Sequence, residues 1–132
     1  MIFVAAEILK LLVVEPEYFI ALDVHRVVIE QAGGEAVIEP ASRWTAALDE
    51  HSFNLVVTRL ERNPEIVARK LSAVRARGAG IVFTSTYVPG STEMAATGRW
   101  PVVKIPFTDE DLLSALGEAQ ARMHHEKGPS PA

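Results

Sequence analysis

Ile8-Leu9-Lys10-Leu11-Leu12-Val13-Val14-Glu15-Pro16-Glu17 is the stretch that decides how this chain is read. Its first seven residues form an apolar run broken only by Lys10, and Pro16 stops it. A strand with one face in water alternates apolar and polar side chains, whereas a strand covered by helices on both faces does not. The run is therefore expected to be the central strand of a parallel sheet, with its carboxyl end at Glu15.

Outward from that strand the pattern repeats. Phe19, Ile20, Leu22, Val24, Val27, Val28 and Ile29 recur at mixed three- and four-residue spacings up to Gly33-Gly34, as in a helix with a glycine stop. Ala36-Val37-Ile38 reads as a strand, and Ser42 as the N-cap of a short helix over Arg43 to Glu50. Leu55-Val56-Val57-Thr58 is a third strand. Pro64 opens a third helix ending at Gly78, and Ile81-Val82-Phe83-Thr84 is a fourth strand. Val88 to Arg99, with Pro89, Gly90 and Gly98, supports only a short or irregular helix. Pro101-Val102-Val103-Lys104-Ile105 is a fifth strand, and Thr108 with Asp111 gives a capping-box entry to the last helix. Five such βα units predict a doubly wound, flavodoxin-like sheet of order 2-1-3-4-5, whose functional site lies at the carboxyl ends of the strands.

The composition narrows the function classes. The chain has 132 residues, fitting one domain, and a net charge of −4 with no basic stripe, so no nucleic acid partner is expected. It has no cysteine, which excludes a disulfide framework, a thiolate metal site and a cysteine nucleophile. Met1 to Glu7 is apolar but lacks a positive n-region, and Glu7 and Lys10 interrupt it well short of a membrane span. Neither a signal peptide nor an anchor is expected, and the cytoplasm is the expected location. The domain is expected over residues 1–126, with 127–132, rich in Gly, Pro and Ser, as a disordered tail.

Over about residues 8 to 122 the chain resembles the receiver domains of two-component response regulators. Leu12-Val13-Val14-Glu15-Pro16-Glu17 is similar to the family's strand ending in an acidic pair. Asn54-Leu55-Val56-Val57-Thr58-Arg59-Leu60 is similar to the strand that delivers the phosphoacceptor aspartate. Ile81-Val82-Phe83-Thr84-Ser85-Thr86-Tyr87 is similar to the strand ending in a signalling Thr or Ser, and Pro101-Val102-Val103-Lys104-Ile105-Pro106-Phe107 to the strand ending in Lys-Pro-Phe. The resemblance implies a pocket in which acids hold Mg²⁺ and an aspartate takes a phosphoryl group, chemistry that needs hard anionic oxygens.

This sequence departs from that pattern at nearly every position. Glu15 matches the first acid, but Pro16 stands at the second, Arg59 at the acceptor and Ile105 at the lysine. Ser85 is the residue that keeps a family role, and Val102 stands where many relatives carry a switching aromatic. Lys104 falls one residue before the lysine position and is expected to face away unless a bulge shifts the register. Ile105-Pro106 matches the family's cis linkage and is expected to be cis. A guanidinium repels a divalent cation and accepts no phosphoryl group as aspartate does, so Arg59 is expected to fill the space of metal and phosphate and to fork onto Glu15 or Glu17.

Plainer readings stand beside these. Glu15 and Glu17 read equally as solvated acids at a strand end, and Ser85 as a turn hydroxyl bonded to nearby backbone. Trp100 reads either as an exposed interface anchor, with Arg99 and Val102, or as a plug at the end of the core. His124-His125 lacks further ligands, and neither a metal nor a cofactor is expected. No nucleophile elbow, Gly-x-Gly-x-x-Gly or Walker loop is present, and no enzymatic activity is expected. The chain is accordingly read as a pseudo-receiver that acts on a protein partner, whether histidine kinase, regulator or second copy, through the surface of the fourth helix, fifth strand and fifth helix. The alternatives are a phosphorelay receiver with a displaced acceptor, Glu15 or Glu17, and Mg²⁺, or an anion or small-ligand sensor at Arg59 and Ser85.

Overall fold

The computed structural model describes residues 8–126; the expectations placed on Met1 to Glu7 and on the 127–132 tail lie outside them. The five strands are β1 (Lys10–Val14), β2 (Glu35–Ile38), β3 (Leu55–Arg59), β4 (Gly80–Ser85) and β5 (Val102–Lys104). The helices between and after them are α1 (Tyr18–Gln31), α2 (Trp44–Glu50), α3 (Pro64–Ala76), α4 (Ser91–Ala96) and α5 (Asp109–Glu126). All strand pairs are parallel and the order is 2-1-3-4-5.

The three inner strands are the apolar runs. Leu11, Leu12 and Val13 of β1, Leu55, Val56 and Val57 of β3, and Ile81, Val82 and Phe83 of β4 are all fully buried or nearly so. Both of their faces are covered, so alternation would have placed polar groups in the core. The edge strands β2 and β5 are shorter and half-exposed. α5 buries Leu112, Ala115, Leu116 and Ala119, the i, i+3, i+4, i+7 face of an amphipathic helix. α1 and α5 lie side by side, tied by a two-pronged bond from Arg26 to Asp109 at 2.8 and 3.2 Å. That guanidinium holds the Asp109 carboxyl below the usual carboxylate range.

Helix entry follows the local chemistry in two places and departs from it in a third. The Asn63 side chain accepts from the Glu65 N–H ahead of Pro64, and Thr108 and Asp111 exchange side-chain-to-backbone bonds of 3.1 Å each. Ser42, by contrast, does not cap α2. It lies inside a 3₁₀ turn, Ala41–Arg43, closed by the Arg43 N–H on the Pro40 carbonyl, and the helix begins directly after that turn, at Trp44. β5 is also shorter than the expected Pro101 to Ile105, spanning Val102–Lys104, and the Ile105-Pro106 linkage is cis as expected.

Trp100 is 2% exposed and closes the end of the core. The guanidinium groups of Arg122 and Arg75 lie over its ring at 4.1 and 5.0 Å. Its role as an exposed interface anchor is therefore corrected. Arg99, with φ of 65°, is exposed beside it, and Val102 is half-buried at the sheet edge.

Two glycines give opposite expectations. A Cβ at Gly34 would stand 2.6 Å from the Leu9 carbonyl oxygen, whose position is fixed by its bond from the Glu35 N–H. Gly34→Ala should therefore cost about 1–3 kcal/mol. Gly117, on the exposed side of α5, has no atom within 4 Å of such a Cβ, and Gly117→Ala should stabilise by about 0.5–1 kcal/mol. Urea unfolding midpoints check both signs.

Candidate functional site

The carboxyl ends of β1, β3 and β4 bring Glu15, Arg59 and Thr84 together. In register, Val14 lies opposite Thr58, and Arg59 opposite Thr84. Glu15 follows β1 directly, and its side chain has no exposed surface. A carboxylate in such a position must be neutralised and hydrogen-bonded, since burial of an unpaired charge is costly.

Arg59 supplies the counter-charge. Its terminal nitrogen reaches Glu15 Oε1 at 2.5 Å and its Nε reaches Oε2 at 3.4 Å, a fork onto one carboxylate. The Thr84 hydroxyl donates to Oε2 at 2.7 Å, and the Glu17 backbone N–H donates to Oε1 at 3.3 Å. Both carboxylate oxygens are thus occupied twice. Glu17 is the weaker partner: its carboxylate is 3.8 Å from Arg59 and largely in water. Of the two acids offered for the fork, Glu15 takes it, and Glu15 is not a solvated acid.

Thr84 was not singled out in the sequence, and Ser85 was. The structure exchanges them. Ser85 is buried, but its hydroxyl donates to the Tyr87 carbonyl at 2.6 Å and accepts from the Tyr87 N–H at 3.1 Å. That is the turn role, and the pocket hydroxyl belongs to Thr84. Adjacent residues of a strand point to opposite faces, so a one-residue difference in register decides which of two neighbouring hydroxyls enters the site.

The other expected positions contribute no charge. Pro16 offers neither a carboxylate nor an N–H. Ile105 is half-buried, with its N–H on the Ser85 carbonyl. Lys104 is exposed at the sheet edge and does not replace the missing lysine. A second cation lies nearby on α3: the Lys70 ammonium donates to the Thr58 hydroxyl at 3.2 Å and is 3.9 Å from Glu61. Burial lowers its pKa, and Glu61 offsets part of that. Tyr87 stacks on the Arg62 guanidinium at 3.9 Å, and burial followed by the nearby Glu93 carboxylate raises its hydroxyl to about 12.

The donor set does not fit a divalent metal. The Glu15 oxygens are already bonded, and the permanent Arg59 guanidinium lies against them. Among the described residues no group of three or more His, Asp or Glu side chains could hold an ion. On the far edge, a shallow groove of about 530 Å³ runs between β5 and α5, lined by Val102, Lys104, Asp111 and Glu118 among others.

No protein-family model matches the chain, and no curated protein matches it in sequence. Solved structures do match in fold. A CheY-like receiver domain from Methanospirillum hungatei is 19% identical, with a TM-score of 0.71 over 91% of this chain and 99% of its own. The chemotaxis protein CheY4 of Vibrio cholerae is also 19% identical, with a TM-score of 0.70 over 85% and 98%. HP1043, an orphan response regulator of H. pylori, is 14% identical, with a TM-score of 0.69 over 85% and 96%. The chain has the fold of response-regulator receiver domains.

Removing one partner of the buried pair strands the other. Arg59→Met should destabilise by about 2–4 kcal/mol, discounted from a fully buried pair because Arg59 is partly exposed. Adding Glu15→Leu should restore most of that loss, as measured by urea unfolding of the two single variants and the double.

Proposed function

We propose that this protein is a receiver-type signalling domain that acts through protein contacts, without aspartyl phosphorylation. The observation that carries the reading is the Arg59–Glu15 fork. A cation occupies the acceptor position and is bonded to the one acid that matches the family's metal-binding pair. No nucleophilic carboxylate faces an incoming phosphoryl group there, and a divalent ion would meet a fixed positive charge.

The alternatives are less well supported. Glu15 as a displaced acceptor would first have to give up Arg59, Thr84 and the Glu17 N–H. Glu17 is exposed, with its carboxylate not held by neighbouring donors at hydrogen-bond distance. An anion sensor using Arg59 with Ser85 lacks its hydroxyl, which is engaged by the Tyr87 backbone.

The partner in this reading is a protein: a histidine kinase, another regulator or a second copy. The surface carried over from receiver domains is that of α4, β5 and α5, here offering Arg99, the edge of β5 and the groove beside it, with Trp100 inside the core. A cytoplasmic location belongs to the same proposal. No helix among the described residues is long and apolar enough to cross a membrane.

Incubation with Mg²⁺ and a small acyl-phosphate donor, then with beryllofluoride, tests the reading by intact mass and amide NMR. The expected outcome is an unchanged mass and unmoved resonances at Glu15, Arg59 and Thr84. A phosphoryl adduct, or Mg²⁺-dependent shifts at those strand ends, would restore a phosphorelay function.

A further inference from the structure

We propose that the cleft at the amino ends of β1 and β2 is a binding site for a free aliphatic α-amino acid. The cleft holds about 190 Å³ and lies where these two strands meet the turn that follows α2. Leu11, Val37 and Phe53 give it an apolar lining, and Lys10 and Glu35 stand beside that lining. Val37 is 41% exposed, an aliphatic side chain left uncovered on the sheet. Lys10 opens β1 and Glu15 follows its last residue, so about 17 Å of strand separates the cleft from the Arg59–Glu15 pair. The inference does not rest on the state of that pair.

Charge selects the head of the ligand. Lys10 and Glu35 are partners in register across the β1–β2 pair, so their side chains rise from the same face of the sheet on strands about 4.8 Å apart. Both are exposed, and among the described residues neither forms an ion pair, with the other or with a third group. A simple carboxylate placed over them would be drawn to Lys10 and repelled by Glu35, and a simple amine would meet the reverse. A zwitterion satisfies both. Its carboxylate meets the Lys10 ammonium and its ammonium meets the Glu35 carboxylate, from two groups carried on one α-carbon.

Size and lining select the side chain. Pockets for drug-sized ligands hold roughly 300–1,000 Å³, so this cleft admits only a small molecule. A head group held by Lys10 and Glu35 leaves the rest of the ligand over Val37 and Phe53, where covering an aliphatic side chain is favourable. The walls are in place before a ligand arrives. The Lys10 N–H donates to the Asn54 side-chain oxygen at 2.5 Å and the Glu35 N–H to the Leu9 carbonyl at 2.7 Å, and the His51 ring stands edge-on to Phe53 at 6.2 Å. A site built in advance loses little ordering entropy on binding.

The test is titration of the full chain with L-leucine, followed by amide NMR. Saturable shifts should centre on Lys10, Glu35, Val37 and the turn from His51 to Phe53. Leucinamide, which lacks the carboxylate, and isocaproate, which lacks the ammonium, should each bind about tenfold or more weakly. Glu35→Gln and Lys10→Gln should weaken leucine to a similar extent. Both positions are exposed, so the thermal midpoints of these variants should stay near that of the parent. Absence of saturable shifts with leucine, isoleucine, valine and methionine alike, shifts centred on the carboxyl ends of the strands, or unchanged affinity in the two variants would overturn the proposal. So would leucinamide bound as tightly as leucine, which would make the ligand a peptide amino terminus, or isocaproate bound as tightly, which would make it a simple carboxylate.

Discussion

The site depends on one buried negative charge. Glu15 stands at the end of the central strand with its carboxylate shielded from solvent, and three elements meet to satisfy it: Arg59 from β3, Thr84 from β4 and the Glu17 N–H entering α1. In the low-dielectric environment of strand ends a carboxylate needs a compensating cation, and either a metal or a side chain can supply it. Here the cation is covalently part of β3. A guanidinium fixed to the sheet cannot come and go as an ion or phosphoryl group can, and in the proposed function this holds the pocket in one charge state.

The same geometry explains why the remainder of the pocket carries so little. Pro16 is exposed and Ile105 half-buried, and neither adds a charge to the pair that Arg59 and Glu15 already form. Proline and isoleucine at those positions are consistent with the Arg59–Glu15 pair, and Lys104 turns outward along the edge strand. The turn after β4 is held separately, by Ser85 on the Tyr87 backbone and by Tyr87 on Arg62. In the proposed function, what the fold would present to a partner is its outer helices and edges rather than a changing pocket.

Much of this was legible in the chain. The continuous apolar runs at 8–14, 55–58 and 81–84 mark strands covered on both faces, and right-handed crossovers then leave few topologies open. Arg59 could be placed because it ends such a run. Three features were not legible, each for a definable reason. Thr84 and Ser85 are adjacent hydroxyls, and which one enters the site is decided by the pairing of Arg59 with Thr84 across two strands. Trp100 follows exposed Arg99, a neighbour suited to a surface, but its ring is covered by Arg75 and Arg122 from helices distant in sequence. The apolar positions of α1 recur at both three and four residues, so the pattern identifies a helix without telling its inner face from its outer one.

The claim that Arg59 permanently fills the site is tested most directly by following its own guanidinium. Arginine-selective nitrogen labelling, with Arg59→Lys to assign the signal, would resolve the Arg59 Nε–H. The account predicts a solvent-protected resonance coupled to the Glu15 carboxyl carbon and unaltered by added Mg²⁺. A rapidly exchanging Nε–H, or one that Mg²⁺ displaces from Glu15, would contradict it.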